Sequence, residues 1–174
     1  MRISEAELDH AFAECLSTSA AFQQWLLGRG RFARYAATAR LLHEEQASVR
    51  KKAKHWWKHW WCRMPDGSDG ETDIFAVFEA GDVRFALHIE NKPPDGSLSM
   101  RQAVRYRPRA AFKAFEQGWL SYSDFETILI APRDFIAAHG DQCHQFDVTI
   151  TYEDIAHFVP IFGRLTPPLA KRDV

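Results

Sequence analysis

The sequence predicts an α/β protein, because short β-rich runs alternate with segments of helical periodicity. Two of these runs, 74–78 and 83–89, are separated by a turn at Gly81-Asp82, which is typical of a β-hairpin. A third run, 127–131, is apolar after its first residue, as expected of a strand buried between parallel neighbours. These observations predict a globule of strands and helices.

Length and composition place the chain among ordinary globular proteins. Its 174 residues suit one domain with a substantial core, and we assign residues 1–165 to that domain and 166–174 to a C-terminal tail. The hydrophobic and charged fractions, 46% and 26%, are typical of such domains. Three widely spaced cysteines without a Cys-x-x-Cys pair predict neither a disulfide framework nor a zinc site.

The N-terminal segment lacks the pattern of a secretion signal, and no apolar run approaches membrane length. We therefore expect a cytoplasmic protein that does not bind membranes. The net charge of −1 argues against a protein that coats nucleic acid. The charge is uneven, however, because residues 29–63 hold ten Lys and Arg against two Glu. This local excess of eight positive charges predicts a basic face.

The first helix should begin at Ser4, which has the spacing of a capping box with Glu7. Glu14 lies on this helix, away from its apolar stripe, and is either a surface residue or a site residue. A second helix is predicted over 21–27, and it should end at Gly28.

The basic region predicts one long helix over 31–55, a strand near 57–63 and a loop over 65–70. The run 55–63 interleaves tryptophans with basic residues, an arrangement that can stack on splayed bases while contacting phosphate. The alternative is that these tryptophans pack the core, and we favour that alternative for at least half of them.

The rest of the chain alternates strands and helices. Strands are predicted at 73–79, 83–91, 126–131 and 146–151, and helices at 97–107, 133–138 and 152–159. Pro93-Pro94 should stop the second strand, and Pro108 should interrupt the helix before residues 110–115 resume it.

Asp73 lies at the start of the first hairpin strand, and Glu90 and Lys92 lie at the end of the second. Alternation places Glu90 and Lys92 on one face of the sheet. Two carboxylates about 4 Å apart repel by roughly 4 kcal/mol at an effective dielectric of about 20, so such a pair needs a cation or a shared proton. Mg²⁺ prefers oxygen and is commonly held by one or two carboxylates. The alternative is a solvated pair of Glu90 and Lys92 at a strand end.

These residues resemble the signature of the PD-(D/E)xK nuclease superfamily. Asp73 is followed at the end of the next strand by Glu90-Asn91-Lys92, although Glu71-Thr72 stands where the usual proline would be. Gln102-x-x-x-Tyr106 is similar to a helical motif of the RecB-like branch, and Glu14 lies where that branch often carries a helical Glu. The resemblance implies a restriction-endonuclease-like αβββαβ core with a mixed central sheet flanked by helices.

The resemblance also implies an Mg²⁺- or Mn²⁺-dependent nuclease that hydrolyses DNA or RNA. Its metal would be held by Asp73, Glu90, the Asn91 carbonyl and, directly or through water, Glu14. Lys92 would orient or deprotonate the attacking water or stabilise charge. Gln102 and Tyr106 would support the site and contact substrate.

The basic side chains provide the expected contacts to substrate phosphate. These are Arg101 and Arg105 on the helix after the hairpin, and Lys54 and Lys58 in the basic region. Two alternatives to an enzyme remain open, a nucleic-acid-binding module without turnover and a protein-interaction module that uses the tryptophan-rich run. The sequence also leaves the oligomeric state open, including a homodimer.

Overall fold

The computed structural model describes residues 3–115 and 120–166. The helices are α1 Glu5–Thr18, α2 Ala20–Leu27, α3 His43–Val49, α4 Met100–Ala103, α5 Tyr106–Lys113, α6 Arg133–Ala138, α7 Gly140–Cys143 and α8 Tyr152–Ile155. The strands are β1 Arg40–Leu41, β2 Trp60–Arg63, β3 Asp69–Thr72, β4 Ile74–Ala80, β5 Val83–Asn91, β6 Asp124–Ala131 and β7 Val148–Thr151. Short 3-10 helices lie at Ala33–Tyr35 and Phe162–Leu165.

The central sheet has five strands in the order β1-β4-β5-β6-β7. Strands β1, β4 and β5 pair antiparallel, whereas β5, β6 and β7 run parallel. Helices pack on both faces of this mixed sheet, so the chain is a mixed α/β protein as predicted. The hairpin β4–β5 and the buried strand β6 are confirmed, and both follow from their apolar sequences.

The two faces of the sheet bury different clusters. The face toward α1, here called the α1 face, carries alternate residues such as Ile74 and Ile89, which pack against Leu8 and Phe12. The opposite face, here called the α5 face, carries the intervening residues, which pack against Trp60, Tyr106 and their neighbours. Alternation along β4 and β5 therefore decides which side chains reach each cluster.

Helix α1 begins at the predicted position. Ser4 accepts a hydrogen bond from the Glu7 amide at 3.3 Å, and the Glu7 carboxylate accepts one from the Ser4 amide at 2.8 Å. This reciprocal pair is the predicted capping box, and it satisfies two backbone donors at the helix start. The predicted end of α2 at Gly28 is also confirmed.

The prediction of one long helix over 31–55 is wrong. The helix is confined to α3, and the residues before it form a 3-10 turn and the edge strand β1. The side chain of Gln46 explains this, because it is fully buried and bonds the Phe75 carbonyl at 3.0 Å and the Val77 amide at 2.8 Å. Pairing with β4 outweighs the local helical preference of the basic segment.

The predicted strand near 57–63 exists only over Trp60–Arg63, and it does not join the central sheet. It pairs with β3, so the end of the predicted loop over 65–70 is strand. Trp57 and Trp60 are buried and Trp61 is exposed, which divides the tryptophan-rich run between the core and the surface.

The C-terminal half follows the prediction with shorter elements. The predicted helix 97–107 is broken at residues 104–105 into α4 and α5. The prediction that Pro108 interrupts a helix is wrong, because Pro108 lies in the first turn of α5, where proline is tolerated. Helix α7 forms where no element was predicted, while β7 and α8 are shorter than predicted. Residues 167–174 of the predicted tail lie outside the described residues. Within residues 3–115 and 120–166, no helix has the length and apolar character needed to cross a bilayer.

Candidate active site

Asp73 and Glu90 lie close together at one end of the hairpin. The last pair of the register is Ile74 with Ile89, and Asp73 and Glu90 are the residues that flank this pair in the chain. The Asp73 carboxylate accepts a hydrogen bond from the Asn91 amide at 2.9 Å, which fixes it against β5. Glu90 is close enough to Asp73 for its charge to contribute, after burial, to the raised pKa of Asp73, so both carboxyl groups belong to one site.

Glu90 is buried and held by three donors. The Gln102 side chain donates to Oε1 at 2.5 Å, and the Tyr106 hydroxyl donates to Oε2. The Lys92 ammonium lies 2.5 Å from Oε1. The Gln-x-x-x-Tyr pair predicted on the helix after the hairpin therefore reaches the predicted carboxylate, with one residue on α4 and the other on α5.

Lys92 is mostly buried, with 11% of its side chain exposed. Burial opposes its charge, but the carboxylates of Glu90, Asp73 and Glu5 outweigh burial and raise the pKa of Lys92. The amine is therefore an ammonium ion at neutral pH, ready to stabilise negative charge rather than to accept a proton.

The pKa of Asp73 lies well above its usual range. Burial is the main cause, and the nearby carboxylates of Glu90 and Asp9 add to it, while the Asn91 amide opposes it. Burial also raises the pKa of Tyr106, with Glu90 as the next cause, so its hydroxyl keeps its proton and remains a donor. Negative charge at this end of the hairpin is therefore costly unless a cation shares the site.

A third carboxyl comes from α1. Asp9 is buried and accepts a hydrogen bond from the Asn91 side chain at 2.6 Å, and the other end of that amide accepts one from Tyr152 at 2.5 Å. Burial raises the pKa of Asp9 to about 7, and the charges of Glu5 and Glu90 contribute in the same direction. Asp9 was not predicted as a site residue.

Glu14, the residue predicted on this helix, is exposed and lies on another face of α1. Helical periodicity locates a face of the helix but not the element that packs on it, so it could not place Asp9 against Asn91. Glu5 and Asp9 are one turn apart, so they share the face that meets the end of β5. The signal available in the sequence was an acid one residue after the apolar Leu8, on the buried side of the helix.

The predicted arginines lie beside Gln102. Arg101, Arg105 and Arg109 line a polar pocket of about 200 Å³ together with Gln102, which also reaches Glu90. The Arg109 guanidinium lies 4.5 Å from the centre of the Tyr106 ring. It occupies the space in which a side chain at Gly70 would lie, because a Cβ there would come within 1.5 Å of it.

The two predicted lysines lie in different places. Lys58 is half-buried and close enough to Asp9 and Glu5 for its charge to lower the pKa of both. Lys54 is exposed and lines an open groove of about 850 Å³ on the basic segment. Only Lys58 therefore belongs to the immediate surroundings of the carboxylates.

His88 is the centre of a buried hydrogen-bond relay beneath the site, and the sequence did not predict this relay. The Tyr122 hydroxyl donates to the Ala110 carbonyl at 2.6 Å, so it accepts the 2.8 Å bond from Nε2 of His88. Nδ1 then accepts from the Thr72 hydroxyl at 3.2 Å. Burial, followed by the charges of Lys113 and Arg109, holds the pKa of His88 well below its usual range. The relay ties β5 to β3 and α5 with a neutral imidazole.

The donor set suits a hard divalent cation held by few protein ligands. Across the described ranges 3–115 and 120–166, no three His, Cys, Asp or Glu side chains form a metal-binding group. The carboxyl groups of half-buried Asp73 and buried Glu90 are nevertheless close together, and Mg²⁺ commonly takes one or two carboxylates and completes its shell with water and phosphate. The Asp73 and Glu90 carboxyl groups fit this coordination.

Comparisons of the chain with protein-family models, with curated proteins and with solved structures found no match. Function must therefore be inferred from the geometry of the site.

Proposed function

We propose that this protein is a metal-dependent nuclease that hydrolyses phosphodiester bonds, most favourably in DNA. The observation that carries the proposal is the proximity of Asp73 and Glu90 at the end of a hairpin, with the Lys92 ammonium 2.5 Å from Glu90. Phosphodiester hydrolysis requires that the negative charge developing on the phosphate be stabilised. Two neighbouring carboxylates that can hold a metal ion and an adjacent ammonium group meet this requirement.

Asp73 and Glu90 would hold Mg²⁺ or Mn²⁺ with the Asn91 main-chain carbonyl. When bound, the ion would polarise the phosphate and lower the pKa of a water molecule. The side chain of Asn91 is already committed to Asp9 and Tyr152, so it orients Asp9. Asp9 would contribute through water or through its charge, in the role that was expected of Glu14.

The other side chains position and stabilise. Lys92, kept charged by its carboxylate neighbours, would stabilise the charge that develops on the phosphate oxygens. Gln102 and Tyr106 hold both oxygens of Glu90, so they fix the orientation of this carboxylate. Arg101, Arg105 and Arg109 line a pocket beside Gln102 and would contact a neighbouring phosphate.

We also propose that the five-stranded sheet belongs to a restriction-endonuclease-like core. In support, α1 precedes a β4–β5 hairpin, α4 and α5 follow it, and β6 then pairs parallel to β5. The first strand of the expected αβββαβ order would be β1, at the edge of the sheet, instead of the predicted strand near 57–63.

A second candidate function is nucleic-acid binding without turnover. It is favoured by the contacts of Glu90, whose carboxylate is already engaged by Gln102, Tyr106 and Lys92. A carboxylate so fully hydrogen-bonded can serve as a structural anchor for α4 and α5. A carboxylate that only anchors helices needs no metal and supports no cleavage. Metal-dependent cleavage of nucleic acid therefore distinguishes the two functions.

The test is a cleavage assay on DNA and RNA with Mg²⁺ and with Mn²⁺. Wild-type protein should cut, and Asp73→Asn, which keeps the shape of the carboxylate but not its charge, should be inactive. Glu14→Gln is the matched control, because it removes an exposed carboxylate from α1 and should cut like the wild type. Wild-type protein that binds nucleic acid but cuts none of these substrates with either ion would support the binding module instead.

A further inference from the structure

The basic segment forms an open groove of about 850 Å³ that lies outside the carboxylate site. It is lined by residues 48–54 together with His59 and Trp61. Four of the lining residues are cations, Arg50, Lys51, Lys52 and Lys54, and none of the described residues in the lining is acidic. A groove with this charge is complementary to a polyanion.

Trp61 is the aromatic residue of this groove, and 53% of it is exposed. Its neighbour Trp60 is fully buried, as alternation along β2 requires. His59 directs the chain into the strand with a left-handed φ of 64°, a conformation that non-glycine residues rarely adopt. The chain therefore presents one large indole to solvent at the edge of a positively charged groove.

The backbone that carries Trp61 is held on both sides. Arg50 donates to the carbonyls of Lys58 at 2.8 Å and His59 at 2.5 Å, and its guanidinium lies over the Trp60 ring. Lys113 donates to the Trp61 carbonyl at 2.7 Å. Because the backbone is held, less conformational entropy is lost when a ligand stacks on the Trp61 side chain.

The groove also adjoins the carboxylate site. Trp61 pairs with Glu71 across β2 and β3, and the chain passes from Glu71 through Thr72 to Asp73. Lys58, on the other side of His59, is close enough to Asp9 to lower its pKa. A nucleic-acid strand bound along the groove would therefore lead toward the carboxyl groups of Asp73 and Glu90.

We propose that this groove binds an unpaired stretch of nucleic acid, with a base stacked on Trp61 and phosphates against Lys51, Lys52 and Lys54. This inference rests on the proposed function, in which the substrate is nucleic acid. It adds that the substrate is single-stranded where it meets Trp61. The chemistry favours an unpaired strand because the face of a base is free to stack on an indole only when it is not stacked in a duplex.

The test measures the affinity of oligonucleotides of about ten nucleotides by fluorescence anisotropy in the presence of EDTA, so that no cleavage occurs. Single-stranded DNA, single-stranded RNA and a DNA duplex of the same sequence are compared. Trp61→Ala should weaken single-strand binding by about 5- to 150-fold and leave duplex binding within about twofold. Trp61→Phe should retain most of the affinity, because an aromatic face remains.

Phe115→Ala is the matched control, since Phe115 is an exposed aromatic residue that does not line this groove. It should bind all three oligonucleotides like the wild type. If Trp61→Ala binds single strands as tightly as the wild type, or loses duplex affinity equally, the inference is wrong. These outcomes are separate from the proposed function, because binding that depends on Trp61 without cleavage contradicts the nuclease alone, and cleavage without that dependence contradicts this inference alone.

Discussion

The side-chain amide of Asn91 donates to the carboxyl group of Asp9 at 2.6 Å, and this contact joins α1 to the end of β5. Asp9 is 3% exposed, and its pKa is raised to about 7, chiefly by burial. A carboxyl group kept in such a place destabilises the fold whenever it is ionised. Its presence is therefore better explained by a role in the site than by stability.

The pH dependence of protein stability should reveal the ionisation of Asp9. Its pKa is raised in the folded state, so between its normal value of 3.8 and about 7 the unfolded chain loses the proton while the folded chain keeps it. The free energy of unfolding therefore falls as the pH rises through this window, by up to about 4 kcal/mol above pH 7.

Asp9→Asn removes this ionisation and keeps an oxygen that can accept from Asn91. We expect it to be more stable than the wild type at pH 8 and nearly equal near pH 4, by denaturant unfolding in EDTA. Glu14→Gln, on an exposed face of the same helix, should change stability by less than about 0.5 kcal/mol at both pH values. A variant that is equally destabilised at both pH values would contradict the assigned ionisation of Asp9.

Tyr106→Phe should reduce turnover more than stability. It removes the hydroxyl that donates to Glu90 and keeps the ring that packs against Phe146 at 5.1 Å. Loss of a partner that orients a metal-binding carboxylate typically lowers activity or metal affinity about 10- to 100-fold. The measurement is the cleavage rate at saturating substrate, together with thermal unfolding.

Tyr35→Phe is a matched control for Tyr106→Phe, because Tyr35 packs on Phe85 at the other end of β5. It should leave the cleavage rate unchanged. Equal rates for wild type and Tyr106→Phe would mean that the hydroxyl does not support the reactive form of Glu90.

Gly70→Ala should act through Arg109. The added Cβ would meet the guanidinium at 1.5 Å, so Arg109 must leave its position over Tyr106. If Arg109 contacts a substrate phosphate, Gly70→Ala and Arg109→Ala should both weaken DNA binding and lower its salt dependence by about one charge. The measurement is DNA affinity across a series of salt concentrations in EDTA.

Gly140→Ala is the control for Gly70→Ala, since a Cβ at Gly140 meets no atom within 4 Å. It should bind DNA like the wild type. If Gly70→Ala binds DNA with wild-type affinity and salt dependence, Arg109 does not contact a substrate phosphate.

The hairpin and its acidic end could be predicted from the sequence, because local alternation and turn chemistry place Asp73, Glu90 and Lys92 together. The reach of Gln102 and Tyr106 to Glu90 followed from the motif that these residues resemble. These contacts span 12 to 18 residues, within one hairpin and the helices that follow it.

The parts that could not be predicted depend on long-range contacts. Asp9 meets Asn91 across 82 residues, so α1 periodicity alone could not select it over Glu14. Gln46 anchors α3 to β4 by bonds across 29 and 31 residues, and this anchoring limits the predicted long helix. In both cases a buried polar side chain finds a backbone or amide partner that only the folded sheet provides.

The central claim is that Asp73 and Glu90 hold a divalent ion while Lys92 acts on the reacting phosphate. It is tested most directly by calorimetric titration with Mn²⁺ and Mg²⁺ of the wild type, Asp73→Asn and Lys92→Ala, with cleavage rates measured on the same samples. The wild type should bind an ion and cut, and Asp73→Asn should lose both properties. Lys92→Ala should retain ion binding and cut at least about 100-fold more slowly, since its contribution is expressed in the transition state. A wild type that binds neither ion, or an Asp73→Asn protein that binds and cuts like the wild type, would contradict the claim.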